Sequence, residues 1–320
     1  MGDTRQHRDI ACRGHGKRSS SQGRHTWRAP PAWLAAFALA GAILPGQPMA
    51  HGYAGKRFFP ATLAVDDPFV ADEFGIKLSH SRDESSTTTS DLAIDYAKTI
   101  TPDLGLSIGT DYLRVKPEDG GAQKGFGNTV VGAKYLVYKS DAHEMLFSVG
   151  ANVELGGTGS ARVGAESGST LSPAVFFGKG FGDLPESAKY LRPLALTVAI
   201  SPNFSTHDFK AKSVDTGITL SYDLGYLQNY VKDAGLKSPF NRLIPIVELP
   251  LSTCTTGACG GRTTGTINPG IIWYGKHYQL GLEATIPLNR ASGSHTGVIL
   301  QLHLFIDDLF PRSLGKPIFK

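Results

Sequence analysis

Residues 278–310 constrain this chain more than any other stretch; they read YQLGLEATIPLN, then RASGSHTG, then VILQLHLFIDDLF. In the first arm Leu280, Leu282, Ala284, Ile286 and Leu288 alternate with Gln279, Gly281, Glu283 and Thr285. In the second, Val298, Leu300, Leu302, Leu304 and Ile306 alternate with Gly297, Ile299, Gln301, His303 and Phe305. Successive side chains of a strand point to opposite faces, so each arm is a strand with one apolar face and one mixed, partly charged face. Ordinary strands run about 5 to 6 residues, whereas these arms have the roughly 9 to 11 residues that a tilted strand needs to cross a bilayer. The hairpin therefore suits lipid on one side and a polar interior on the other.

The same alternation recurs upstream from Glu73, for instance in Leu92, Ile94 and Tyr96, in Val149, Ala151 and Val153, and in Ile218, Leu220 and Tyr222. The pattern predicts an all-β chain, a closed antiparallel transmembrane β-barrel of about 12 strands over residues 73–310. Closure follows from chemistry, because an open sheet edge in hydrocarbon would leave backbone groups unsatisfied at several kcal/mol each. Lys77, Asp91, Asp95, Asp111, Lys134, Glu154, Asp215, Arg242, Glu248 and Glu283 all fall opposite the apolar stripe. On the lipid face a mid-plane Lys or Arg would cost roughly 2 to 4 kcal/mol, so this phase assigns the charges to the lumen. Connections after odd strands (115–127, 156–168, 202–212, 253–264) are mostly longer and rich in Gly, Ser and Thr. Those at 99–103, 139–144 and 275–277 are brief, as expected of outside loops and periplasmic turns. Segment 225–240 breaks that asymmetry with a spacing that suits a small helix, and segment 180–190 breaks it without such a pattern.

Residues 1–50 read as a Sec-type signal peptide, with a basic start, an apolar run over 33–44, the breaker Pro45-Gly46 and a cut before His51. The other reading of the run, a membrane anchor, asks too few apolar residues to span. Its seven Lys/Arg and two Asp, taken from the chain's 32 basic and 28 acidic residues, leave 25 and 26, so the basic excess belongs to the leader. No patch for nucleic acid follows. Residues 51–72 lack alternation and contain Pro60 and Pro68; lying ahead of strand 1, they are a candidate plug entering from the periplasmic side. Residues 311–320 form a C-terminal tail. In an exported chain Cys254 and Cys259, in the loop CTTGAC, fit a local disulfide better than a metal site, since no His or carboxylate flanks them.

GFGNTVVGAKY (125–135), LSPAVFFGKGFGDLP (171–185), YLRPLAL (190–196) and FIDDLFPRSLGKPIF (305–319) resemble outer-membrane barrels grouped as the meta-pathway phenol-degradation or "transporter" family. The resemblance implies an outer-membrane barrel associated with uptake of aromatic or other small hydrophobic molecules, and supplies no catalytic residues. The chain departs from many barrels in following its last aromatic, Phe319, with Lys320.

Three enzyme readings compete with a channel. His51, exposed by cleavage, could bind copper with a second His, but one ligand is a weak metal signal. Ser79-His80-Ser81 and His303 offer pieces of a nucleophilic site for a barrel enzyme acting on lipid, without a recognisable spacing. The GFG and GKGFG stretches lack the strand, turn and long helix of a phosphate loop. The favoured reading is a non-enzymatic channel, without metal or cofactor, whose partners are outer-membrane lipid and small hydrophobic or aromatic solutes. Lys134, Glu154, Arg242, Glu248 and Glu283 are its expected lumen-lining residues. A structural or interaction barrel with a blocked lumen is the rival, because about 8 strands are filled by side chains and about 16 leave a water channel, with this chain between.

Overall fold

The computed structural model describes residues 52–83, 85–207, 209–256 and 260–319. The leader and His51 lie outside these residues, as does Cys259. Twelve antiparallel strands form the wall: β1 (Glu73–Arg82), β2 (Thr88–Thr101), β3 (Leu104–Lys116), β4 (Thr129–Ser140), β5 (Met145–Leu155) and β6 (Thr170–Gly180), followed by β7 (Leu194–Ser205), β8 (Ala211–Tyr222), β9 (Leu243–Cys254), β10 (Thr263–Tyr274), β11 (Tyr278–Pro287) and β12 (Gly297–Phe305). Each pairs with its neighbour in the chain, and β12 returns to β1 with Val298 opposite His80 and Phe305 opposite Glu73. The sheet is thus closed and has no edge to satisfy.

The two faces separate as the alternation requires. Leu106, Ile108, Val137, Leu280, Leu282 and Leu300 remain exposed on the outside, while Asp91, Glu248 and Glu283, one position out of phase with such residues, are wholly buried inside. Nine of the ten in-phase charges lie on strands; Arg242 instead ends the 3-10 turn Phe240–Arg242, one residue before β9. Its N–H is spent on Pro239 O at 3.1 Å inside that turn, which withholds it from the ladder. Ile306 also leaves the expected stripe: β12 stops at Phe305, and Ile306 opens the helical turn Ile306–Leu309 with its N–H donated to Asp72 O at 2.9 Å.

Two irregular places have local causes. Along β6 the ladder to β7 has no pairs between Ile200↔Val175 and Phe204↔Leu171, around Pro173, which has no N–H to donate. Ser201 Oγ covers the gap by donating to Pro173 O at 3.0 Å. Between residues 126 and 129 the chain bulges, so that Gln123–Phe126 continues the line of β4 along β3. The GFG and GKGFG stretches fall on these strand segments and the turn after β6, and neither opens a long helix.

The two long connections at the short-turn end are ordered. Residues 181–193 contain the 3-10 segment Glu186–Leu191, and 223–242 begin with the helical turns Leu224–Tyr226 and Leu227–Val231. Asp223 caps the latter, its carboxylate accepting from Gly225 N at 2.7 Å and Tyr226 N at 3.0 Å. These connections pack beneath the barrel and help to seat the N-terminal segment.

Candidate functional site

Residues 52–72 run inside the barrel. They begin with a tight hairpin, Tyr53–Ala54 against Arg57–Phe58, at the short-turn end, rise to residues 63–67 in the lumen and return to β1. Leu63 and Phe58 join Ile244, Ile246, Ile272, Ile299 and Phe305 in a buried apolar cluster against β9, β10 and β12. Inward glycines make the approach possible: a Cβ on Gly281 would lie 2.7 Å from Leu63 Cδ1, and one on Gly217 would lie 2.5 Å from Val65 Cγ1. Those glycines, which composition alone assigns to barrel punctuation, are seats for the plug.

Polar contacts fix the segment at four places. Arg57, with no exposed surface, donates through Nε to Glu144 Oε2 at 3.2 Å, through Nη1 to Pro193 O at 2.8 Å and through Nη2 to Arg192 O. Its guanidinium lies 3.9 Å from the centroid of Tyr226, whose hydroxyl donates to Glu144 Oε1 at 2.8 Å. This is the role of the 181–193 connection: it presents two carbonyls to a buried cation. Higher up, the Glu248 carboxylate accepts from three successive backbone N–H groups, Leu63 at 2.9 Å, Ala64, and Val65 at 3.0 Å. Across the lumen Lys134 Nζ reaches Asp66 Oδ1 at 3.0 Å and Asp67 O at 2.6 Å. At the exit Asp72 accepts from Lys98 Nζ at 2.7 Å, Thr99 N at 2.8 Å and Thr99 Oγ1 at 2.7 Å. Hydrogen bonds to charged groups contribute about 1.5 to 3 kcal/mol each, and a stranded partner costs at least that. The plug is therefore anchored at its base, its tip and its exit.

The plug does not fill the barrel. A cavity of about 250 Å3 lies between its tip (Ala64, Val65, Asp66), the inward residues of β2–β9 and the loop after β5. That loop folds inward through the 3-10 turn Ala161–Val163, burying Val163 and placing Glu166 on the cavity rim, where Lys212 bridges it at 2.9 Å. A second cavity of about 100 Å3 lies beside the plug toward the short-turn end, lined by Phe69, Glu73, Ala97 and Gly105 among others. The two share one ring of residues: Val65, Asp66, Asp95, Ser107, Asn152 and Phe176.

The expected lining residues separate into different tasks. Glu154 borders the larger cavity and accepts from Asn128 Nδ2 at 2.9 Å. Lys134 borders the smaller one, its ammonium 4.6 Å from the Phe176 ring centroid as well as bridging Asp66. Glu248 is covered by the plug, Glu283 is buried on β11 in the same wall, and Arg242 lies in its turn below β9. Cys254 is disulfide-bonded. Ser79 is buried in the lumen and the neighbouring His80 is exposed on the other phase of β1, so the two do not meet; His303 Nε2 faces Glu73 Oε2 at 3.3 Å. Arg57, Asp72 and Glu144 were not singled out by sequence reasoning. The signal for Arg57 and Asp72 is charge within a Pro-interrupted apolar stretch, and Glu144 carries none.

No family model and no curated protein matches this chain. Among solved structures it is similar to the KdgM porin, with 14% identity over 72% of this chain and 98% of that one and a TM-score of 0.45. It is similar to the COG4313 outer membrane channel from Pseudomonas putida F1, with 13% identity over 82% and 99% and a TM-score of 0.48. LpxR from Salmonella typhimurium gives 10% identity over 73% and 99%, with a TM-score of 0.42.

Proposed function

We propose that the protein is an outer-membrane channel for small, largely apolar or aromatic solutes, with the long loops outside the cell and the short turns in the periplasm. The observation that carries this reading is the pair of cavities along the β2–β6 side of the plug, which have six lining residues in common. A solute entering past the 156–169 loop meets Leu113, Val130, Val163 and Leu251 in the first cavity, then Phe176 at the ring, then Phe69 and Val70 in the second. Small size follows from the volumes, and apolar character from those side chains together with the sequence resemblance to phenol-uptake barrels. The exposed outer face supports a lipid environment, since water would leave a belt of Leu, Ile and Val unsheltered.

The plug's own fixation favours a second reading, a structural barrel whose lumen is closed. Conductance and liposome-swelling measurements on the purified full chain separate the two. Permeation of small neutral solutes that rises when Glu248→Gln loosens the plug supports the channel; no permeation by either protein leaves the closed barrel.

A further inference from the structure

Resting on the orientation with the long loops outside the cell, we propose that the upper end of the outer face of β3 holds the phosphate groups of an anionic glycolipid of the outer leaflet. On this face Arg114 stands directly opposite Lys124 in the pairing of β3 with Gln123–Phe126, and Lys116 is the next outward residue of β3. All three are exposed, and among the described residues none of them meets a carboxylate. On the same rim, beyond Thr88, Arg82 Nη2 reaches Glu118 Oε1 at 3.4 Å. The Asp83 carboxylate accepts from Ser85 Oγ at 2.8 Å and Thr87 N at 2.9 Å within its own turn, and Asp119 is exposed in the loop above. Like charges directly opposite on a sheet are destabilising, so this pair gains when an anion lies between them. A guanidinium beside an ammonium suits a phosphate, since the first grips two oxygens at once and the second adds a point charge.

The row beneath supplies an independent sign. Two residues nearer the middle of the barrel wall, the same register sets Tyr112 opposite Phe126, their ring centroids 5.1 Å apart and edge to face. These rings are 40% and 58% exposed. Leu92 lies beside Tyr112 and Leu78 beside Leu92, so an apolar row underlies the cations across β1–β3. Depth agrees with this arrangement. From Leu104 at the short turn to Arg114 is about ten residues, roughly 34 Å of strand, which at a tilt of about 45° rises roughly 24 Å, close to the ~25 Å apolar band of such barrels. The cations therefore stand at headgroup level and the rings just inside the acyl region. A free phosphate would use the cations alone, whereas a phosphorylated head on an apolar body uses both rows.

The test is native mass spectrometry of the purified full chain in detergent with three probes: lipid A carrying both phosphates, the same lipid stripped of phosphate, and inorganic phosphate. Bisphosphorylated lipid A should stay bound, the stripped lipid should bind on the order of tenfold more weakly, and inorganic phosphate should fail to displace the lipid. Arg114→Gln combined with Lys124→Gln should weaken lipid A binding on the order of tenfold, while Lys276→Gln, exposed in a turn at the opposite end, should leave it unchanged. Equal affinity for the two lipids overturns the proposal on the parent protein alone, however the variants fold. An affinity unchanged in the double variant, an equal loss in Lys276→Gln, or displacement of the lipid by inorganic phosphate overturns it as well. Conductance of the double variant should match the parent's, because the row lies outside the lumen; the channel reading stands or falls by conductance and not by lipid binding.

Discussion

The two sides of the lumen use the same strand pattern to opposite ends. On the β9–β12 side Ile244, Ile246, Ile272 and Ile299 face inward among polar neighbours, and the plug's Phe58 and Leu63 pack on them as in a soluble core. On the β2–β7 side the plug packs only toward the short-turn end, where Phe59 meets Leu146 and Ala195; above it the inward positions carry Ser107, Asn152, Ala174, Ala199 and carboxylates and border the larger cavity. Inward polarity is required of every strand of a barrel, but inward bulk is not. Where bulk and glycine seats coincide the lumen is filled; where small side chains meet charges it remains open.

The largest expected effect comes from Glu248, whose loss strands three buried N–H groups at about 1 to 3 kcal/mol each. Glu248→Leu should lower the folded protein's unfolding midpoint in denaturant and make residues 52–72 accessible to protease. Glu154→Leu on the open side should do neither. Next, Arg57→Met leaves Glu144 buried without its cation, a loss of about 3 to 5 kcal/mol for a broken buried pair. It should free the plug's base, seen as increased current noise, while the barrel itself survives heating on gels.

Leu282→Arg places a charge on the exposed outer face and should reduce assembly into lipid vesicles by about 2 to 4 kcal/mol in folding equilibrium. Glu283→Leu, one residue along and wholly buried, should assemble better than Leu282→Arg; the reverse order would mean that the faces are exchanged. The smallest effect belongs to the loop after β9, where we propose Cys259 as the disulfide partner of Cys254. Cys254→Ser should leave permeation unchanged and expose one reactive thiol on intact cells, and a labelled thiol in the unreduced parent would reject the pairing.

The wall was legible because a period of two is a property of neighbours in the sequence. Leu280 against Gln279 already states which face is which, and the same alternation marks the wall from the strand at Glu73 to the one at Gly297. The ends were less legible where a turn competes with the ladder, as at Arg242, or where a long-range donor intervenes, as at Ile306. The lumen was legible only as polarity. That Glu248 grips a backbone while Asp95 borders both cavities depends on contacts distant in the sequence, some 180 residues for Glu248, and both are merely acids in phase when read along the chain. Arg57 shows the same limit more sharply, since its partners are two carbonyls that any residues could have supplied.

The central claim is the asymmetry of the lumen, and rates of thiol modification read it directly. In the full chain, Ser107→Cys would stand in the shared ring on the open side, and Thr219→Cys would replace an inward residue that is 2% exposed behind the plug. Treated with a small, charged, membrane-impermeant methanethiosulfonate reagent, Ser107→Cys should react readily and Thr219→Cys should stay protected until Glu248→Leu is added. Equal rates at the two positions, before the plug is loosened, would contradict the account.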